Sequence, residues 1–86
     1  MPRISEFYGI VIEMYWNDHN PPHFHAKYGD EKAEIEIRTL GVLTGHLPPK
    51  AHALVTEWVA LHRSELLARW ESARRHEPLA KIAPLE

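Results

Sequence analysis

Apolar and polar residues alternate along the first half of the chain and fall into a three-to-four-residue rhythm along the second. From Phe7 to Trp16, one side of an extended chain would carry Ile10, Ile12, Met14 and Trp16, and the other Val11, Glu13 and Tyr15. Period two with β-branched and aromatic side chains predicts a strand over about 7–16. Gly9, near its start, marks a bulge or a close backbone approach. The segment Asn17-Asp18-His19-Asn20-Pro21-Pro22 then breaks the pattern, because Asn, Asp and Pro are turn formers and a residue before Pro is pushed away from helix. A second strand is predicted over about 23–28, with Phe24, Ala26 and Tyr28 on one face and His23, His25 and Lys27 on the other. Gly29-Asp30 with Glu31 supplies a hairpin turn. The third strand, about 33–39, alternates most clearly: Ala33, Ile35 and Ile37 inward, Glu34, Glu36 and Arg38 outward. After Leu40-Gly41 a short fourth strand spans about 42–45.

Proline at a first helical turn is well tolerated, so Pro49 opens a helix over about 49–75. Ala51, Leu54, Val55, Trp58, Val59 and His62 lie on one stripe. Leu66, Trp70 and Ala73 continue it, rotated about the axis. The drift fits either one long, slightly supercoiled helix or a break near Arg63-Ser64, with Ser64 capping the second part. Pro78 ends the helix, and Leu79, Ile82 and Leu85 in the tail (77–86) are expected to pack back on the domain or on a partner. The fold class is therefore α+β: a three- to four-stranded antiparallel meander followed by one long C-terminal helix packed on the apolar sheet face. The opposite face, carrying His23, His25, Lys27, Glu34, Glu36 and Arg38, is expected to be wet or part of an interface.

Eighty-six residues form one domain, 1–86, with a thin core. Small domains of this size often gain stability by pairing with another subunit. The hydrophobic fraction of 44% and charged fraction of 26% are those of a globular protein. The absence of cysteine excludes disulfides and thiolate metal sites. Met1-Pro2-Arg3-Ile4-Ser5 lacks a signal peptide's apolar run, and no window reaches a membrane span, so a cytoplasmic location is expected. The net charge of −2 argues against a general nucleic-acid binder. Arg69, Arg74, Arg75 and Lys81 make a mild basic patch, read first as cations near the negative pole of the helix dipole.

Histidine is the outlier, at seven residues. Three fall in His19-Asn20-Pro21-Pro22-His23-Phe24-His25. His23 and His25, two apart on a strand, emerge on the same face, and His19 approaches from a proline-stiffened loop. Three histidines with an open position match a catalytic zinc or similar divalent transition-metal site. A two-residue turn at Gly29-Asp30 pairs His25 with Glu34 and His23 with Glu36, whereas a four-residue loop pairs His25 with Glu36. Glu34 or Glu36 is thus a candidate fourth ligand, or a partner that fixes a histidine tautomer. Two other readings stand beside this one: structural ion pairs with the glutamates, and acid–base catalysis by His23 and His25 on a substrate such as RNA, with Lys27 or Tyr28 assisting. His46 could reach the same sheet edge. His52 and His62 are read as surface and core-edge residues. Trp58 and Trp70 are read as core, as are Tyr15 and Trp16, with pocket lining the alternative for the last two.

The segments Ile4 to Ile12, His19-Asn20-Pro21-Pro22-His23-Phe24-His25-Ala26, Leu47-Pro48-Pro49, Trp58, Leu61-His62-Arg63, Leu66-Leu67, Trp70 and Pro78 to Leu85 resemble the bacterial domain of unknown function 4160. The resemblance implies no activity. It implies a partner, since genes of this family often stand beside a small gene of domain of unknown function 2442, in an arrangement like a toxin–antitoxin pair. His46 departs from the family pattern, which puts a ligand role for it in doubt. The leading expectation is one partner of such a two-protein module, with the histidine loop as its functional site. The alternatives are a metal-binding or metallo-hydrolytic module using His19, His23 and His25, and a metal-independent ribonuclease-like toxin. A homo-oligomer is the other expected association.

Overall fold

The computed structural model describes residues 3–16 and 18–86. Met1, Pro2 and Asn17, the last of which is expected in a turn, lie outside the described residues. Among the described residues five strands and one helix follow in order: β1 (Arg3–Phe7), β2 (Ile10–Glu13), β3 (His23–Tyr28), β4 (Glu31–Glu36), β5 (Val42–Gly45) and α1 (Pro49–Arg74). The strands form one antiparallel sheet in sequence order, so the chain is an α+β meander with a C-terminal helix.

The strand count exceeds the expectation because 7–16 is not one strand. Tyr8 and Gly9 both take positive φ, at 50° and 79°, and Phe7 pairs directly with Ile10. This is a two-residue hairpin turn of the primed kind, whose twist matches that of the flanking strands. Gly9 therefore reverses the chain rather than bulging it. The segment before it, starting at Arg3, supplies the extra strand. β4 begins at Glu31 and ends at Glu36, earlier than 33–39. Past its end, the Ile37 amide donates to the Pro22 carbonyl oxygen at 3.0 Å, which holds Ile37 in the core.

One sheet face builds that core. Ile10, Ile12, Phe24, Ala26, Ala33 and Ile35 are buried, along with Ala51, Val55, Trp58 and Val59 of α1. The Trp58 ring lies 5.3 Å from Phe7 and edge-on to Phe24 at 6.2 Å. The rotation of the apolar stripe has a local cause. His62 leaves helical geometry (φ −128°, ψ 20°), two residues before the break considered at Ser64. Beyond it, Leu66, Trp70 and Ala73 are buried in turn.

The tail packs back as expected. The Ile82 amide donates to the Ile4 carbonyl at 2.8 Å, along the outer edge of β1. Trp58 Nε1 and Arg69 Nε donate to the Ala83 and Ala80 carbonyls, and Ile82 and Leu85 are buried. No helix among the described residues is long and apolar enough to cross a membrane.

Candidate functional site

The Gly29-Asp30 turn leaves Tyr28 paired with Glu31, so His25 faces Glu34 and His23 faces Glu36. On its other side His25 faces Glu13 of β2, and beyond Glu34 stands Thr44 of β5. A polar row thus crosses four strands on the sheet face opposite Phe24 and Ile35. Alternation puts these side chains there; the register decides which of them meet.

The face, expected to be wet or part of an interface, is not uniformly wet. His23 is 1% exposed. The second part of α1, redirected after His62, brings Trp70 against it, with ring centroids 5.2 Å apart. His23 Nδ1 lies 2.7 Å from the Pro21 carbonyl oxygen. A carbonyl only accepts, so Nδ1 carries the proton and donates, and in the neutral ring Nε2 holds a lone pair. Asp18 Oδ2 lies 3.2 Å from that Nε2 and Glu34 Oε1 3.5 Å, yet Nε2 makes no well-formed hydrogen bond. The same Asp18 oxygen lies 3.0 Å from His25 Nε2. Asp18, His23 and His25 each place one ligand atom within 4.8 Å of the others.

His19 does not join this group. It is exposed, its ring 6.1 Å from that of His23. The loop instead turns the preceding carboxylate inward, so Asp18 takes the place assigned to His19. Glu34 is the nearer glutamate. Glu36, though paired with His23 in register, accepts from Thr39 Oγ1 at 3.0 Å. His46 is exposed. His62 sits at the kink, 2.6 Å from Glu65. Half of the basic patch is ion-paired, Arg75 with Glu77 and Arg74 with Glu71.

A second cluster flanks the first. Glu13, 6% exposed, accepts from Lys27 Nζ at 3.0 Å and from the Tyr15 hydroxyl at 2.9 Å. Burial alone would raise the Glu13 pKa; the Lys27 and Tyr15 hydrogen bonds and the Lys27 charge outweigh it and hold it below the usual carboxylate value. Burial, followed by the bond to Glu13 and the nearby carboxylate charges, pushes Tyr15 up to about 12. Tyr15 also stands edge-on to His25, centroids 4.4 Å apart. Tyr15 thus lines the site, whereas Trp16 lies outside it, its Nε1 donating to the Glu77 carbonyl.

Asp18 and Glu13 are the residues that sequence reasoning passed over. Asp18 read as a turn former, and its only signal was a carboxylate five residues before His23 in a proline-bounded loop. Alternation puts Glu13 on the strand face opposite Ile12, but its pairing with His25 depends on the β2–β3 register, which the local pattern does not set.

The molecule is thus a small α+β domain with a half-buried cluster of histidines and carboxylates around the buried His23 on one sheet face. The model of the family described as "Domain of unknown function (DUF4160)" matches residues 9–71, a span holding every residue of that cluster, and the chain belongs to this family. No curated protein and no solved structure matches the chain significantly.

Proposed function

We propose that the chain binds a divalent transition metal through Asp18, His23 and His25, with Glu34 beside them, and that the centre is hydrolytic. The supporting observation is the His23 Nε2 lone pair. It is buried, fixed in direction by the Pro21 carbonyl, and aimed at two carboxylate oxygens, of which the Asp18 oxygen is also hydrogen-bonded to His25 Nε2 at 3.0 Å while His23 Nε2 itself has no hydrogen-bond partner. Acceptors converging in a buried site require a cation or a proton among them. Two histidines and one carboxylate leave coordination positions open, as catalytic metal sites do. A bound divalent ion would acidify a water molecule and polarise a phosphoryl or carbonyl group. The Pro21 carbonyl serves as the outer partner that sets a ligand histidine's tautomer. The burial of His23 argues against the ribonuclease-like reading, in which it would have to touch a macromolecular substrate.

Elemental analysis of untagged protein tests the proposal. About one equivalent of metal is expected, lost in Asp18→Asn and retained in Glu36→Gln. At a free metal concentration 100-fold above Kd, binding stabilises the fold by about 2.7 kcal/mol, so chelation should lower Tm by roughly 10 °C or more. No stoichiometric metal, with a Tm indifferent to chelator and to added zinc, overturns it.

A second reading, one half of a two-protein module, is favoured by the two sheet edges. The tail covers β1, whereas β5 is the last strand in the sheet and exposes Val42 and Leu43. An uncovered apolar edge strand is a template for strand addition. The proposed occupant is the small protein of domain of unknown function 2442 encoded by a neighbouring gene. Native mass spectrometry of the co-expressed pair tests this reading, and two independent monomers overturn it.

A further inference from the structure

Beside the histidine cluster lies a cavity of about 320 Å³ lined by Tyr15, His25, Lys27, Lys32, Glu34 and Thr44, among others. We propose that this cavity takes a tetrahedral oxyanion, the phosphate group of a small phosphate monoester, and takes it only once the metal is bound. The proposal rests on the metal-centre reading above and names the ligand of that site.

Three observations carry it. The first is the register: Lys27 and Lys32 stand directly opposite each other on β3 and β4. Like charges in directly opposed positions destabilise a sheet. Glu13 neutralises Lys27, but Lys32 has no carboxylate partner among the described residues. An anion between the two strands would relieve the pair. The second is adjacency. His25 and Glu34 line the cavity and also belong to the metal cluster or touch it, so a ligand seated there would lie beside a metal held by that cluster. The cavity is of a size for a small molecule, at the lower end for ligand pockets.

The third is the charge balance. Around the cavity and cluster, the three carboxylates of Glu13, Asp18 and Glu34 outnumber the two ammonium groups of Lys27 and Lys32. Without metal the site is net negative and repels an anion. A divalent cation reverses the sign. Phosphate then has one oxygen for the metal, others for Lys32 and Lys27, and a hydroxyl donor in Thr44. A monocarboxylate cannot fill all these positions.

The test uses cobalt-loaded protein, whose visible absorption bands respond to ligand exchange at the metal, titrated with inorganic phosphate and separately with acetate. Lys32 is exposed, so Lys32→Gln is expected to fold. Phosphate should perturb the cobalt bands and bind at least roughly tenfold more tightly than acetate. Lys32→Gln should weaken phosphate binding roughly tenfold while leaving cobalt affinity unchanged, and Lys32→Arg should restore most of it. Equilibrium dialysis with labelled phosphate should show binding only in the presence of metal. Phosphate and acetate binding alike, Lys32→Gln without effect, or phosphate retained equally by metal-free protein would each overturn the inference while the metal centre stands. Failure of cobalt to bind would overturn both.

Discussion

At His23 four neighbours set the chemistry of one ring. Trp70 removes it from water, the Pro21 carbonyl fixes the proton on Nδ1, and Asp18 and Glu34 place negative charge at Nε2. None of the four stands directly opposite it in the sheet, where its register partner is Glu36, so period-two reasoning finds the residue without finding its environment. Glu13 and Tyr15 next to it give a prediction at the same scale. Tyr15 ionises near 12 rather than at its ordinary 10.0. Between those values the folded chain keeps a proton that the unfolded chain has released, so stability falls as pH rises through that window. The contribution is complete below pH 10. Glu13 has the opposite sign. Its pKa is lowered from 4.5, so its contribution is present above that value and is lost as pH falls through the lowered one. Urea midpoints measured against pH should show both losses. Tyr15→Phe should remove the alkaline one, and persistence of that step would assign it to another group.

Two hairpin turns and one kink set the elements. The Gly29-Asp30 turn selects the register that opposes His25 to Glu34, one of the two arrangements compatible with the sequence pattern. At the far end of the cavity β5 approaches β4 closely at Gly45, which has φ +82°, and a Cβ there would run into the Lys32 carbonyl oxygen. Gly45→Ala is therefore expected to push β5 off β4 and to cost more than about 1 kcal/mol, read as a lower urea midpoint. Because Thr44 and Gly45 line the cavity, the same variant should also weaken phosphate binding. An unchanged midpoint would mean that β5 is not seated as described. In α1, the departure of His62 from helical geometry turns one apolar stripe into two, the first buried on the sheet and the second bringing Trp70 to His23.

Over the whole molecule the two sheet edges are treated differently. The tail bonds to the β1 backbone and buries Ile82 and Leu85, which closes that side. β5 remains available, with Val42 and Leu43 exposed at 47% and 43%. If a partner adds a strand there, Leu43→Lys should abolish the complex in native mass spectrometry without lowering the Tm of the isolated chain, since a half-exposed side chain at a sheet edge contributes little to its own fold. A complex that survives this change would place the partner elsewhere. The cavity and the β5 edge are adjacent, so a partner bound on β5 would stand beside the phosphate site.

The sequence by itself determined the α+β class, the spans of β3, β5 and the helix, the inward rows Ile10–Ile12 and Ala33–Ile35–Ile37, and the shared face of His23 and His25. Each of these follows from a period of 2 or 3.6 together with turn residues whose conformational preferences are local. The Tyr8-Gly9 reversal was less legible, because alternation continues through a two-residue turn and Gly9 serves a bulge as well as a hairpin. Tertiary structure alone decided that Asp18 rather than His19 completes the cluster, that Glu34 rather than Glu36 stands by His23, and that His23 is buried. Those choices depend on where a loop closes, which side chain a neighbouring threonine engages, and how far a kinked helix swings, and they link residues distant in the chain. The histidine pair was therefore readable from local pattern, whereas its ligand environment and the oxyanion cavity beside it arise from long-range packing.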